Sequence, residues 1–309
     1  MKRLNKIFIS ALTLLAVGTS YIHAGPFDIL KDPRKLENII DTGTKAIDTI
    51  DKIDRAAEPI TPKDAYSIGR TVGASVLSSR PLYRSSTATM YVNRIARAIA
   101  MNSPVPVLYK DYCVGILDSN EINAISTSSG MILISRGLLA SAESEDEIAA
   151  VIAHEMAHIQ LEHSINMIKA NRKKEAVVSS VKLADDVTGK YSKMSASDKQ
   201  MFHDLSVTGN YLTVVLTDTG YPKEQEYKAD QEALYLLLDA GYDPNALISM
   251  LQKLDASFKE HSGEGGWTKT HPKPADRIKK AQKTCSSLKY EGADPSVRAA
   301  RFKACTKGL

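Results

Sequence analysis

Residues 151–163 read "VIAHEMAHIQLEH", with two histidines four apart, His154 and His158, and Glu155 beside the first. On an α-helix, side chains four apart share one face, so the two imidazoles can bind one metal ion. Glu155 projects to the side of that pair, where it can hold a metal-bound water as a base without ligating the ion. The apolar residues Ile148, Val151, Ile152 and Ile159 bury much of the same helix and so fix the geometry of its polar face. The helix is expected to begin near Ser144. Ser144 and Glu147 have capping-box spacing, and the acids Glu145, Asp146 and Glu147 suit a positive helix N-terminus.

A zinc centre of this kind needs a third protein ligand. One subclass places a histidine ten residues after the first and a glycine at the seventh. Here those positions hold Ser164 and Leu161, so that layout fails. His163 is one residue out of register, roughly opposite the ligand face of a continuing helix, and is read as structural. The best remaining candidate is a carboxylate in "EQEYKADQEAL", where Glu226 has Asp230 one turn on, able to reach a ligating imidazole from behind. Glu224 and Glu232 lack such a following partner and read as solvated charges.

His271 stands 45 residues beyond Glu226, after "SGEGGW" and directly before Pro272. Two readings stay open: a histidine that packs the turn before the next helix, or a gate that reaches the open metal position as a fourth ligand. Arg277 in that next helix could anchor the loop or face a developing oxyanion.

Outward from these motifs, the chain of 309 residues has ordinary globular composition, 43% hydrophobic and 25% charged. Residues 1–24 combine Lys2, Arg3 and Lys6 with a short apolar run and a small residue, Ala24, which is the layout of a secretory signal peptide. Its removal takes three basic residues and no acidic ones, so 37 basic residues face 36 acidic ones and the formal charge falls from +4 to +1. No basic nucleic-acid footprint remains, and no later segment suggests stable transmembrane insertion. Residues 25–60 carry apolar positions at helical spacing (Ile39, Ile40, Ile47, Ile50, Ile53) and form an N-terminal helical segment. A main domain over 61–283 and a C-terminal tail over 284–309 follow. "VPVLYKDYCVGILDS" and "NAISTSSGMILIS" read as strands, and helices are expected from Pro222 to Ala240 and after Asp243. Export permits a disulfide, for which Cys285 and Cys305 are the expected pair. Cys113 reads as a small buried hydrophobe.

The ordered set "NAISTSSGMILISRGLL", "SEDEIAAVIAHEMAHIQLEHS", "EYKAD", "AGYDP" and "THPKPADRI", over residues 88–280, resembles the gluzincin metallopeptidases that include HtpX, BepA and the CAAX prenyl proteases, most nearly the soluble exported BepA-like branch. The resemblance implies an α+β, mainly α-helical fold, a zincin-type domain with a small β-sheet packed beside the active-site helix. It implies one Zn2+ per chain, held by His154, His158 and Glu226, with Glu155 catalytic and Asp230 in support. It further implies that Asn123 and Ala124 open a strand along which substrate lies, continuing towards Gly130. Where the family commonly has Pro-Gly-Gly, this chain has Ser128, Ser129 and Gly130. The expected activity is endopeptidase cleavage of misfolded or unassembled envelope proteins in the periplasm of a Gram-negative bacterium, with outer-membrane assembly machinery as a partner. The alternative is a chaperone or assembly factor of the same fold with little turnover.

Overall fold

The computed structural model describes residues 33–188, 220–260, 271, 274–292 and 295–308. Residues 1–24, where a signal peptide is expected, and the "SGEGGW" stretch lie outside the described residues. The chain divides into two units, residues 1–59 with 167–209, and residues 60–166 with 210–309. Residues 167–188, beyond the His-Glu-x-x-His helix, therefore group with the N-terminal segment.

In the smaller unit, α1 (Pro33–Ala57) carries the ion pairs Lys45–Asp41, Lys52–Asp48 and Arg55–Asp51, each one turn apart on its outer face. Its Ala46 and Thr49 are buried, and the Thr49 hydroxyl reaches the carbonyl of Ser179 on a later helix at 3.4 Å.

The larger unit opens with α2 (Pro62–Ser79), started by a reciprocal capping box between Thr61 and Asp64. Next comes α3 (Ser86–Met101), then a three-stranded sheet of β1 (Cys113–Leu117), β2 (Ala124–Ser126) and β3 (Met131–Ser135). The order is β1-β3-β2, with β1 parallel and β2 antiparallel to β3. The stretch read as one strand, "NAISTSSGMILIS", is thus a hairpin. Gly130, at φ +88°, turns the chain, and its N–H donates to the Thr127 carbonyl at 3.1 Å.

The short α4 (Arg136–Ser141) leads into α5 (Glu145–Gln160), which holds the opening motif. Every residue of α5 from Glu147 to Ile159 is buried, as is Glu145, and α3, α7, α8 and the sheet pack around it. Its cap is half of the expected box. Ser144 Oγ accepts from Glu147 N at 3.2 Å, but the Glu147 carboxylate accepts from Glu143 N, one residue beyond. Four helices complete this part of the chain: α6 (His163–Thr188), which starts in the larger unit and runs on into the smaller, α7 (Lys223–Asp239), α8 (Asn245–Glu260) and α9 (Pro274–Cys285). Gly241, at φ +75°, ends α7, and Asp243 Oδ1 caps α8 by accepting from Asn245 N at 2.9 Å.

The C-terminal stretch is a docked helix, α10 (Pro295–Thr306), and not a tail. Arg301 pairs with the buried Glu145, Arg298 with Asp146, and Phe302 and Cys305 pack against the core. All three cysteines are free thiols, so the expected Cys285–Cys305 disulfide is absent. The two are held by different neighbours: Cys285 Sγ meets Asn245 Oδ1 at 3.4 Å, whereas Cys305 lies near Tyr91 of α3. Cys113 is exposed and not buried, because the alternation of β1 turns Val114 and Ile116 inward instead. Among the described residues, no helix is long and apolar enough to cross a membrane.

Candidate metal centre

Two helices build the centre. The alanines Ala153 and Ala157 of α5 and Ala229 and Ala233 of α7 are fully buried, and such small side chains let two helices approach closely. Glu226 and Asp230, one turn apart on α7, thereby reach His154 and His158, one turn apart on α5. The two imidazole Nε2 atoms are 3.1 Å apart. Glu226 Oε1 lies 3.4 Å from His158 Nε2, and Oε2 lies 3.6 Å from His154 Nε2. His271 joins them, its Nδ1 at 2.8 Å from both Glu226 oxygens. One donor atom from each of His154, His158, Glu226 and His271 falls within 4.8 Å of the others, and all four residues are buried. Asp230 Oδ1 sits 3.1 Å from His154 Nδ1, behind the ring.

Arg277 is fully buried and meets both carboxylates. Its Nε and Nη2 donate to Asp230 at 2.8 and 2.7 Å, and its Nη1 stands 2.9 Å from Glu226 Oε2. It therefore clamps the two carboxylates. Only the "PADRI" landmark marked it, since both partners are some fifty residues upstream. Burial would raise Asp230 and Glu226, but Arg277 holds Asp230 down at about 2, and His271 with Arg277 holds Glu226 well below the usual carboxylate range. Burial and the Arg277 charge push His154 down, and the nearby carboxylates of Asp230 and Glu226 more than reverse this, to about 9.

His163, read as lying opposite the ligand face, is in contact with a ligand. Its Nδ1 is 2.9 Å from His158 Nδ1, and burial with the nearby His158 pushes its pKa down to about 3. Tyr221, which no sequence signal singled out, stacks on the His158 ring at 4.2 Å and 17°. Glu224 is exposed, as expected of a solvated charge.

The centre fits a divalent cation on three counts. Its donors are imidazole and carboxylate, the set that zinc accepts. Three carboxyl groups, Glu155, Glu226 and Asp230, are buried together there, and a divalent cation would add to the partners they have in Arg277 and His154. Finally, Glu155 Oε1 is buried with no hydrogen-bond partner among the described residues and lies 3.7 Å from His271 Nε2, beside the converging donors.

Of the residues expected along a substrate strand, Asn123 and Ala124 lie on β2 or directly before it, at the sheet edge. Gly130 does not: it is a turn residue whose carbonyl accepts from Cys113 N at 3.0 Å.

Comparison with known proteins points the same way. Residues 86–285 match the model of Peptidase family M48. The chain is 27% identical over 194 residues to mitochondrial metalloendopeptidase OMA1 of Schizosaccharomyces pombe, covering 63% of this chain and 52% of that one. It is 25% identical over 215 residues to the beta-barrel assembly-enhancing protease of Yersinia pestis, covering 69% and 42%. It is 25% identical over 227 residues to metalloprotease YcaL of Escherichia coli, covering 72% and 80%. The match thus spans about half the length of the first two relatives.

Proposed function

From the premise that this chain belongs to Peptidase family M48, we propose that it is a zinc-dependent endopeptidase acting on exported, misfolded or unassembled envelope proteins. The observation that carries this reading is Glu155: a buried carboxylate with an oxygen that has no hydrogen-bond partner among the described residues, beside four converging donors and outside their set. His154, His158 and Glu226 would hold the ion, which when bound acidifies a water and polarises a carbonyl. Asp230 fixes the His154 ring, and Arg277 fixes Asp230. Glu155 takes the proton of the attacking water and passes it to the departing amine.

The substrate is read as an extended peptide added to β2. Asn123 O and Thr127 N bond to Ser135 N and Met131 O of β3, both at 2.9 Å. Alternation in an antiparallel pair then directs the backbone groups of Ala124 and Ser126 away from β3, towards an incoming strand. Asn123 Oδ1 and Ser126 Oγ are buried without partners among the described residues, which supports the same edge. Backbone pairing tolerates varied sequence, as a quality-control protease requires. The leader-like residues 1–24 and the likeness to a beta-barrel assembly-enhancing protease support a periplasmic site and contact with outer-membrane assembly machinery. His271, drawn onto Glu226, serves as the gate that occupies the open position until substrate or a partner moves it.

The test is casein cleavage by the wild-type chain and by Glu155→Gln at matched zinc content. Wild-type turnover with loss in the variant supports the reading, and near-normal cleavage by metal-loaded Glu155→Gln overturns it. Absence of wild-type turnover would favour the assembly-factor alternative. For the gate, His271→Ala should keep its zinc and show raised basal cleavage; unchanged or lower activity in a folded variant removes the gate.

A further inference from the structure

Residues 158 and 163 are five apart, which on a continuous helix sets them about 140° apart around the axis. The chain does not continue. The α5 ladder closes with Leu161 N donating to Ala157 O at 2.9 Å and Glu162 N to Ile159 O at 3.0 Å. Glu162 then takes φ 52°, a left-handed conformation uncommon in a residue with a side chain, and α6 restarts at His163. That break returns His163 to the side of His158, with the Nδ1 atoms at 2.9 Å and the rings edge-on at 71°. Tyr221 covers the face of the His158 ring and is itself tied by a hydrogen bond to Ser164, the residue after His163. The His158 imidazole is therefore held at its outer nitrogen and on one face by a structure that begins at a single strained residue.

We propose that His163 is the positioning residue of the ligand His158, accepting its Nδ1–H and so presenting the Nε2 lone pair to the metal. The assignment rests on the metal reading above. An imidazole offers a lone pair at one nitrogen when the other carries the proton, and that proton needs an acceptor when buried. His158 Nε2 faces His154 and Glu226, which leaves Nδ1 as the protonated atom. The acceptor at 2.9 Å is His163 Nδ1, and His163 then carries its own proton on Nε2. The two ligand histidines thus have outer partners of different kinds: the carboxylate of Asp230 for His154, and a neutral imidazole for His158.

The experiment is zinc and Co2+ titration of the full chain against a competing chelator for wild type, Glu226→Ala, His163→Leu, His163→Ala and His163→Asn. The Co2+ visible spectrum and the melting curve in chelator are recorded for each. Loss of the outer partner should weaken metal binding about 10- to 100-fold in His163→Leu and His163→Ala and shift the Co2+ bands. His163→Asn, whose Oδ1 can stand where Nδ1 stood, should recover most of the affinity and the wild-type bands. Equal affinity and identical bands in all three variants, or an equal loss in all three, overturns the proposal. A wild-type chain whose binding does not depend on Glu226 overturns the metal reading instead, and the two failures are told apart by that control.

Discussion

Both ends of α5 are surrounded by buried charge, and the two ends do different things with it. At the first turn every acid is consumed. Glu145 accepts from the hydroxyls of Tyr91 and Tyr242 and from Arg301; Asp146 accepts from Asp243 N and Arg298; Glu147 accepts from Glu143 N, Ser249 and Lys253. Apart from Glu143, which directly precedes the cap, these partners come from α3, α8, α10 and the turn before α8, so the first turn ties the larger unit together. In the last two turns Glu226 and Asp230 share one guanidinium, four candidate ligand donors converge, and Glu155 keeps an oxygen with no hydrogen-bond partner among the described residues. Buried charge alone does not mark a site. Convergence that the protein itself leaves unsatisfied does.

The largest expected effects break the chemical end. Glu226→Ala removes a proposed ligand and one of the two carboxylates that meet Arg277, so zinc should be lost along with all cleavage; metal analysis of the purified variant checks this, and full zinc occupancy would move the third ligand elsewhere. Glu155→Gln should keep fold and zinc while losing about 10²- to 10⁴-fold or more in kcat, the range of a general base, as read by casein turnover. Asp230→Ala should weaken zinc about 10- to 100-fold through loss of the His154 partner, as read by chelator competition. It should cost stability as well, because Arg277 loses its bidentate acceptor.

These effects follow the part of the centre that was legible in the sequence. Helical spacing placed His154, Glu155 and His158, and the one-turn interval of Glu226 and Asp230 matched the turn of the helix facing them. What stayed illegible depended on breaks and on distance. Glu162 is an ordinary glutamate with no glycine's licence for positive φ, so nothing announced that the helix would break and carry His163 to His158. Arg277 could be seen, but its partners lie on a helix reached through a long intervening segment. The hairpin hid because "NAISTSSGMILIS" has apolar residues on both sides of a turn whose lone glycine comes at its end. The acids at the start of α5 read correctly as N-terminal charges, but their true partners, Arg298 and Arg301, are more than 150 residues away, in a stretch read as tail.

At the structural end the effects should be smaller and should spare the metal. Arg301→Ala removes the cation from Glu145 but leaves the two tyrosine hydroxyls, and Arg301 is itself partly exposed. The expected cost is about 1–3 kcal/mol in urea unfolding, with zinc content unchanged. A fall in zinc affinity would show that the two ends of α5 are coupled.

The smallest expected effect is a pH dependence at Glu147. Burial would raise its pKa, but Glu143 N, Lys253 and Ser249 outweigh burial and hold it below the ordinary value. A carboxylate depressed in the folded state adds stability that is fully present above its unfolded pKa and is lost as pH falls through the folded value. Glu147→Gln keeps the shape but carries no charge to lose. At neutral pH the variant should be less stable by about 1 kcal/mol, a charge-assisted bond discounted for the partial exposure of Lys253. As the pH is lowered below about 4.3, the ordinary glutamate value, that gap should close. Urea unfolding of both proteins from neutral pH to acid measures it. A gap constant across the series would mean that Glu147 acts as a neutral hydrogen-bond acceptor, and the first turn of α5 would then be held by geometry and not by charge.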